Sequence, residues 1–116
     1  MKFDEDTTDL YTNGCCYLLA YYLQKKLDSS EIYILESNGT NIHSLVFHKD
    51  NFYDINGKFN SEHDIIIFYT KLFKVYKDIK IRPMKDESEL ILKSYYKSDH
   101  FLTKRFVDNY FDDLVF

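Results

Sequence analysis

Asn13-Gly14-Cys15-Cys16-Tyr17-Leu18-Leu19-Ala20-Tyr21-Tyr22-Leu23 is a glycine turn that runs straight into a helical pattern. Cys16, Ala20, Leu23 and Leu27 recur at helical spacing, with Leu19 beside them. That spacing predicts a helix over residues 14–28 whose apolar stripe faces a core. Thr12 or Asn13 is the expected cap, and Lys25, Lys26 and Asp28 mark the exposed side and the end. Cys16 falls in the first turn, where the partial positive charge of a helix start lowers a thiol pKa and raises its nucleophilicity. The same place also suits a plain small hydrophobe, because free cysteine is among the most buried residue types.

Three strands are expected next. Glu31-Ile32-Tyr33-Ile34-Leu35-Glu36 reads as the first, and 37–41 as a turn cluster. Ile42 to Phe47 or His48 reads as the second, Lys49-Asp50 as a tight turn, and Asn51 to Ile55 as the third, closed by Asn56-Gly57. Directly opposed residues of an antiparallel pair share a face. A two-residue loop at Lys49-Asp50 sets Phe47 opposite Phe52 and Leu45 opposite Asp54. His43 is then the diagonal neighbour of Asp54 on one face, about 7–8 Å away at the backbone. An odd loop or a bulge in that hairpin would part them. A thiol on a helix start, a strand histidine and an acid on the next strand can serve as nucleophile, base and orienting group. The bland alternatives are a satisfied core or surface histidine and an acid that merely flanks a turn.

Three pieces in this order resemble the papain-like and transglutaminase-like cysteine enzymes in a small form. They are Gly14-x-Cys16-Tyr17-x-x-Ala20-x-x-Leu23, His43-Ser44-Leu45-Val46 and Tyr53-Asp54-Ile55-x-Gly57. The match covers residues 13–57. The resemblance implies Cys16 as nucleophile, His43 as its base, Asp54 as the group orienting His43, and Tyr17 packed behind the nucleophile. It implies acyl transfer (hydrolysis, deamidation or transamidation of an amide) with no metal and no cofactor. Cys15 competes with Cys16, since a one-residue slip of the helix start exchanges them. No upstream glutamine is present to meet an oxyanion; the Asn13 side chain or the Cys16 backbone N–H takes that place. Tyr17 stands where transglutaminases often carry Trp.

The rest reads as support. Residues 1–10 form a polar arm that ends in a docked Leu10-Tyr11. Ser61-x-x-Asp64 is a capping-box pattern opening a helix over 61–75, with a strand through the β-branched Ile65-Ile66-Ile67 as the alternative. Residues 78–82 alternate as a short strand that Pro83 ends. Asp86-Glu87-Ser88 starts a helix to Lys97, and Ser98-Asp99 caps a last one. The apolar face of that last helix is Phe101, Leu102, Phe106, Tyr110, Phe111 and Leu114. The expected architecture is α+β in one domain, 1–116. An N-terminal helix carrying the cysteine packs on a small antiparallel sheet, and 61–116 is a helical and strand extension.

Charge narrows the partners. Fifteen Lys and Arg against 19 Asp and Glu leave −4, which disfavours nucleic acid, since clustered cations drive phosphate binding. A protein or peptide is the expected partner; the oligomeric state is not legible. No apolar run near membrane length and no leader pattern is present, which predicts a soluble cytoplasmic chain. Adjacent cysteines make neither a disulfide framework nor a zinc pair, so a free thiol in a reducing compartment follows. Eleven Tyr and ten Phe with no Trp reflect either AT-rich coding bias or an aromatic contact surface. Hence the alternative to an enzyme is a non-catalytic inhibitor or adaptor, of phage or mobile-element origin, that binds protein through an acidic, Tyr/Phe-rich surface.

Overall fold

A computed structural model of the chain describes residues 2–115. Its sheet grows from tight turns. Asn38-Gly39 joins β1 (Glu31–Ser37) to β2 (Thr40–His48), and Lys49-Asp50 joins β2 to β3 (Asn51–Asp54). All four turn residues have positive φ, the mark of the two-residue turn whose twist suits a hairpin. The expected register follows, with Phe47 facing Phe52 and His48 facing Asn51. Ile55-Asn56 turns the chain again into β4 (Gly57–Phe59), where Gly57 pairs with Asp54. That strand was not anticipated, because Asn56-Gly57 reads as an ending. β5 (Ile79–Pro83) lies antiparallel to β1, giving the order β4-β3-β2-β1-β5.

Alternation sends the strand side chains to two faces. Ile32, Ile34, Val46 and Tyr53 meet α2 (Cys16–Lys26) and α4 (Lys97–Val115), while Leu35, Leu45 and Phe52 meet Ile65 and Tyr69 of α3 (Glu62–Leu72). The fold is therefore α+β, with the cysteine helix on an antiparallel sheet, as expected. Leu18 and Leu23 are wholly buried on α2, and each contributes roughly 1.5–3 kcal/mol by leaving water.

Several elements depart from the sequence reading. Residues Glu5–Asp9 form a short helix, α1, rather than an arm, because the Asp4 carboxylate accepts the Thr7 N–H at 2.7 Å. Tyr11 docks but Leu10 stays exposed. Leu10–Gly14 winds as a π-helical turn, so α2 begins only at Cys16 and neither Thr12 nor Asn13 caps it. Ser61 does cap α3, accepting the Asp64 N–H at 3.1 Å.

The helix expected from Asp86 to Lys97 is instead two 3-10 turns, Glu87–Leu90 and Leu92–Ser94. Arg82 draws Glu89 toward β5 with bonds of 2.6 and 3.1 Å, and Ile91 adopts a left-handed backbone that no α-helix tolerates. α4 starts at Lys97, where the Asp99 carboxylate accepts the Tyr96 N–H at 3.1 Å. Its buried stripe is Thr103, Val107 and Leu114, with Phe106 and Phe111 half-buried, so Phe101, Leu102 and Tyr110 of the expected apolar face lie exposed. A buried bond between Tyr11 and Thr103 hydroxyls, 3.1 Å, fixes that rotation. No helix among the described residues is long and apolar enough to cross a membrane.

Candidate active site

The π-helical turn delivers Thr12 and the start of α2 to the beginning of β2. Ser44 Oγ donates to the Cys16 carbonyl at 3.0 Å and anchors the first residue of α2 over one face of the sheet. His43, one residue earlier, turns to the other face, against α3. A β-bulge immediately precedes it: Leu35 faces His43 but Glu36 faces Asn41, leaving Ile42 extra. The bulge interrupts pairing with β1 and not with β3, so His43 and Asp54 keep a common face.

His43 Nε2 lies 2.8 Å from Asp54 Oδ2, and Nδ1 lies 3.2 Å from the Thr12 carbonyl oxygen. A carbonyl only accepts, and so does a carboxylate. Both contacts are met at once when both ring nitrogens carry hydrogen, which is the imidazolium. The Cys16 thiol neighbours the same ring. Burial alone would drive the ring toward neutrality, but the Cys16 charge, the Asp54 bond and the thiol contact outweigh it and raise the His43 pKa.

Asp54 is held in turn. Its Oδ1 accepts the Asn56 backbone N–H at 2.8 Å, and its Oδ2 accepts the Tyr69 hydroxyl as well as His43. Asn56 Nδ2 donates to Tyr69 Oη at 3.0 Å and to Thr12 Oγ1 at 3.1 Å. Burial, and then Asp54, push the Tyr69 phenol far up, so it stays a donor. The Tyr69 ring also packs on the imidazole, centroids 4.6 Å apart.

Cys16, His43 and Asp54 are thus brought together, while Asn13 is not. Asn13 is exposed, and its amide donates to Asp9 Oδ1 at 2.7 Å. Cys15 packs in the core with Leu18 and Leu19, and burial, then Asp99, push its thiol up. Tyr17 and Tyr95 stand near Cys16, and Tyr95 Oη donates to the Gly14 carbonyl at 2.9 Å. Thr12, Asn56 and Tyr69 were missed by sequence reasoning. Tyr69 carried a signal, since Ile65, Tyr69 and Phe73 form one buried stripe and a buried tyrosine requires a partner for its hydroxyl.

The site is closed. Cys16 is 3% exposed and His43 0%. The gap among Tyr11, Cys16, Leu19, Ser44 and Tyr53 has no room for water. A groove of about 320 Å³ between α1 and α3 reaches Thr12, Asn56 and Phe73, all of which touch the His43–Asp54 unit from its other side. Among the described residues no group of His, Cys, Asp and Glu is arranged to hold a metal ion.

The model of a family described as phage YunG-like protein matches residues 1–112. The chain belongs to that family. No curated protein and no solved structure matches it. Membership of the phage YunG-like family is compatible with the phage or mobile-element origin named in the non-catalytic alternative. The match spans the cysteine helix, the sheet and α4 as far as Asp112.

Proposed function

We propose that this phage YunG-like protein is a cysteine-dependent acyl-transfer enzyme acting on an amide of a protein or peptide. The observation that carries this reading is His43, whose two ring nitrogens face only acceptors while the Cys16 thiol lies beside it. An imidazolium there stabilises a Cys16 thiolate. The thiolate attacks the carbonyl carbon, and the Cys16 N–H at the opening of α2, rather than Asn13, meets the oxyanion. His43 gives its proton to the leaving amine, leaving a thioester on Cys16. Water or a second amine then attacks, His43 takes that nucleophile's proton, and Cys16 leaves as the thiolate, restoring the ion pair. Asp54 holds the ring throughout. The resemblance to papain-like and transglutaminase-like enzymes supports the same roles.

A non-catalytic protein-binding role is the second reading. The exposed Tyr96, Phe101 and Leu102 around the start of α4 favour it.

The two are separated by the pH dependence of iodoacetamide labelling at Cys16, with the adjacent Cys15, also buried, read from the same peptide. The enzyme reading expects Cys16 labelling to persist down to about pH 6 and to be lost in His43→Ala. Labelling of Cys16 that rises only near the free-thiol value of about 8.5, or that is absent without denaturant, would sink it.

A further inference from the structure

We infer that Tyr69 is a positioning residue of this site: its hydroxyl holds Asp54 as the carboxylate that keeps His43 charged. The inference rests on the Cys16–His43 reading and adds to it a group on α3, an element outside the stretch that suggested the site.

The geometry is specific. Tyr69 is wholly buried, and its hydroxyl is directed at Asp54 Oδ2, the same oxygen that His43 Nε2 contacts. Asn56 Nδ2 donates to Tyr69 Oη at 3.0 Å, so the phenol's own hydrogen is left to point at Asp54. Asp54 is itself only 4% exposed. A carboxylate so placed is stabilised as an anion only by donors, and it has three: the Asn56 N–H, the Tyr69 hydroxyl and His43 Nε2–H.

The ionisable groups that meet in this space are Cys16, His43, Asp54 and Tyr69. With the phenol donating, the proton shared between His43 and Asp54 stays on Nε2. When the hydroxyl is removed, Asp54 keeps two donors, and its affinity for a proton rises. The Nε2 proton then passes to Asp54 Oδ2, leaving a neutral acid and a neutral imidazole still bonded through Nδ1 to Thr12. The net charge of the pair is unchanged, but no cation remains beside Cys16, and the thiol keeps its hydrogen to higher pH.

Tyr69→Phe isolates the hydroxyl, because the ring packed at a tilt against the imidazole is retained. Cys16 labelling by iodoacetamide across pH 5–9 should move its midpoint up by at least one unit in Tyr69→Phe, so that the rate at about pH 6 falls roughly tenfold. Cys15 labelling should not move. Asp54→Asn should show the same loss, and the Tyr69→Phe/Asp54→Asn double variant no further loss, since the phenol acts through the carboxylate.

If Tyr69→Phe does not fold, 3,5-difluorotyrosine at position 69, a more acidic donor of nearly the same shape, should shift the Cys16 midpoint down instead. A wild-type profile in either variant, or losses that add in the double variant, overturns the inference while leaving the Cys16–His43 reading intact. A wild-type Cys16 that itself labels like an ordinary thiol, or not at all without denaturant, overturns both.

Discussion

Ile91 has a left-handed backbone, φ 48°, and joins two 3-10 turns at a point where its side chain is half in solvent. A branched side chain there costs roughly 1–2 kcal/mol against its ordinary conformations. Asparagine tolerates that region far better. Ile91→Asn should therefore raise stability by about 0.5–1 kcal/mol after the lost burial is counted, read as a Tm higher by roughly 2–4 °C. An unchanged or lower Tm would mean that the Ile91 side chain contributes more than its exposure suggests. At this same scale the candidate site was partly legible. His43 and Asp54 could be paired by counting across a two-residue turn, and Cys16 could be placed by helical spacing. Thr12 could not, because it acts through its backbone carbonyl, which every residue type carries. Asn13 was misplaced because a free side-chain amide was assumed where Asp9 binds it.

Elements were legible where local rules decide and illegible where a distant side chain does. Ser61 and Asp64 specify the start of α3 from within one turn of helix. Asp86-Glu87-Ser88 carries a helix-start signal too, but Glu89 is taken by Arg82 on β5, and the segment bends to follow it. The same pair sets a pH dependence. Glu89 titrates at about 2, first through Arg82 and then through the Lys85 N–H, against an ordinary 4.5. A depressed acid stabilises the fold above its unfolded value and loses that contribution as pH falls through its folded value, so the window runs from about 4.5 down to about 2. Glu89 and Arg82 side chains are 15% and 22% exposed, and a doubly bonded pair of that kind contributes on the order of 1–2 kcal/mol at neutral pH. Thermal unfolding should show Glu89→Gln less stable than wild type at neutral pH, with the gap closing as the pH approaches 2. A gap that persists to the acid end would contradict this role for Glu89.

Across the molecule, one face of the sheet holds the cysteine helix and the other holds α3, and the candidate site lies where groups from both meet. That arrangement explains why a linear reading found only part of it. The stretch from 13 to 57 contains Cys16, His43 and Asp54, but the phenol that completes the network lies at position 69, on a helix whose buried stripe calls for a hydroxyl partner without saying which. The aromatic excess also resolves by place. Tyr11, Tyr53 and Tyr69 are buried, whereas Tyr96 and Phe101 are on the surface, so one composition supplies both the core and exposed positions.

α4 covers α2 through Val107 and Leu114, and its Thr103 takes the hydroxyl of Tyr11. The order of synthesis gives that packing a consequence. While the chain is being made, α2 emerges early and stands uncovered until α4 has left the ribosome. Nascent chains stalled after Lys93 should leave Cys15 open to maleimide, while chains extended past Val115 by a spacer long enough to clear the exit tunnel should protect it. Early protection would mean that α2 is closed by the sheet alone. Otherwise the thiol-bearing segment is translated early and sealed last.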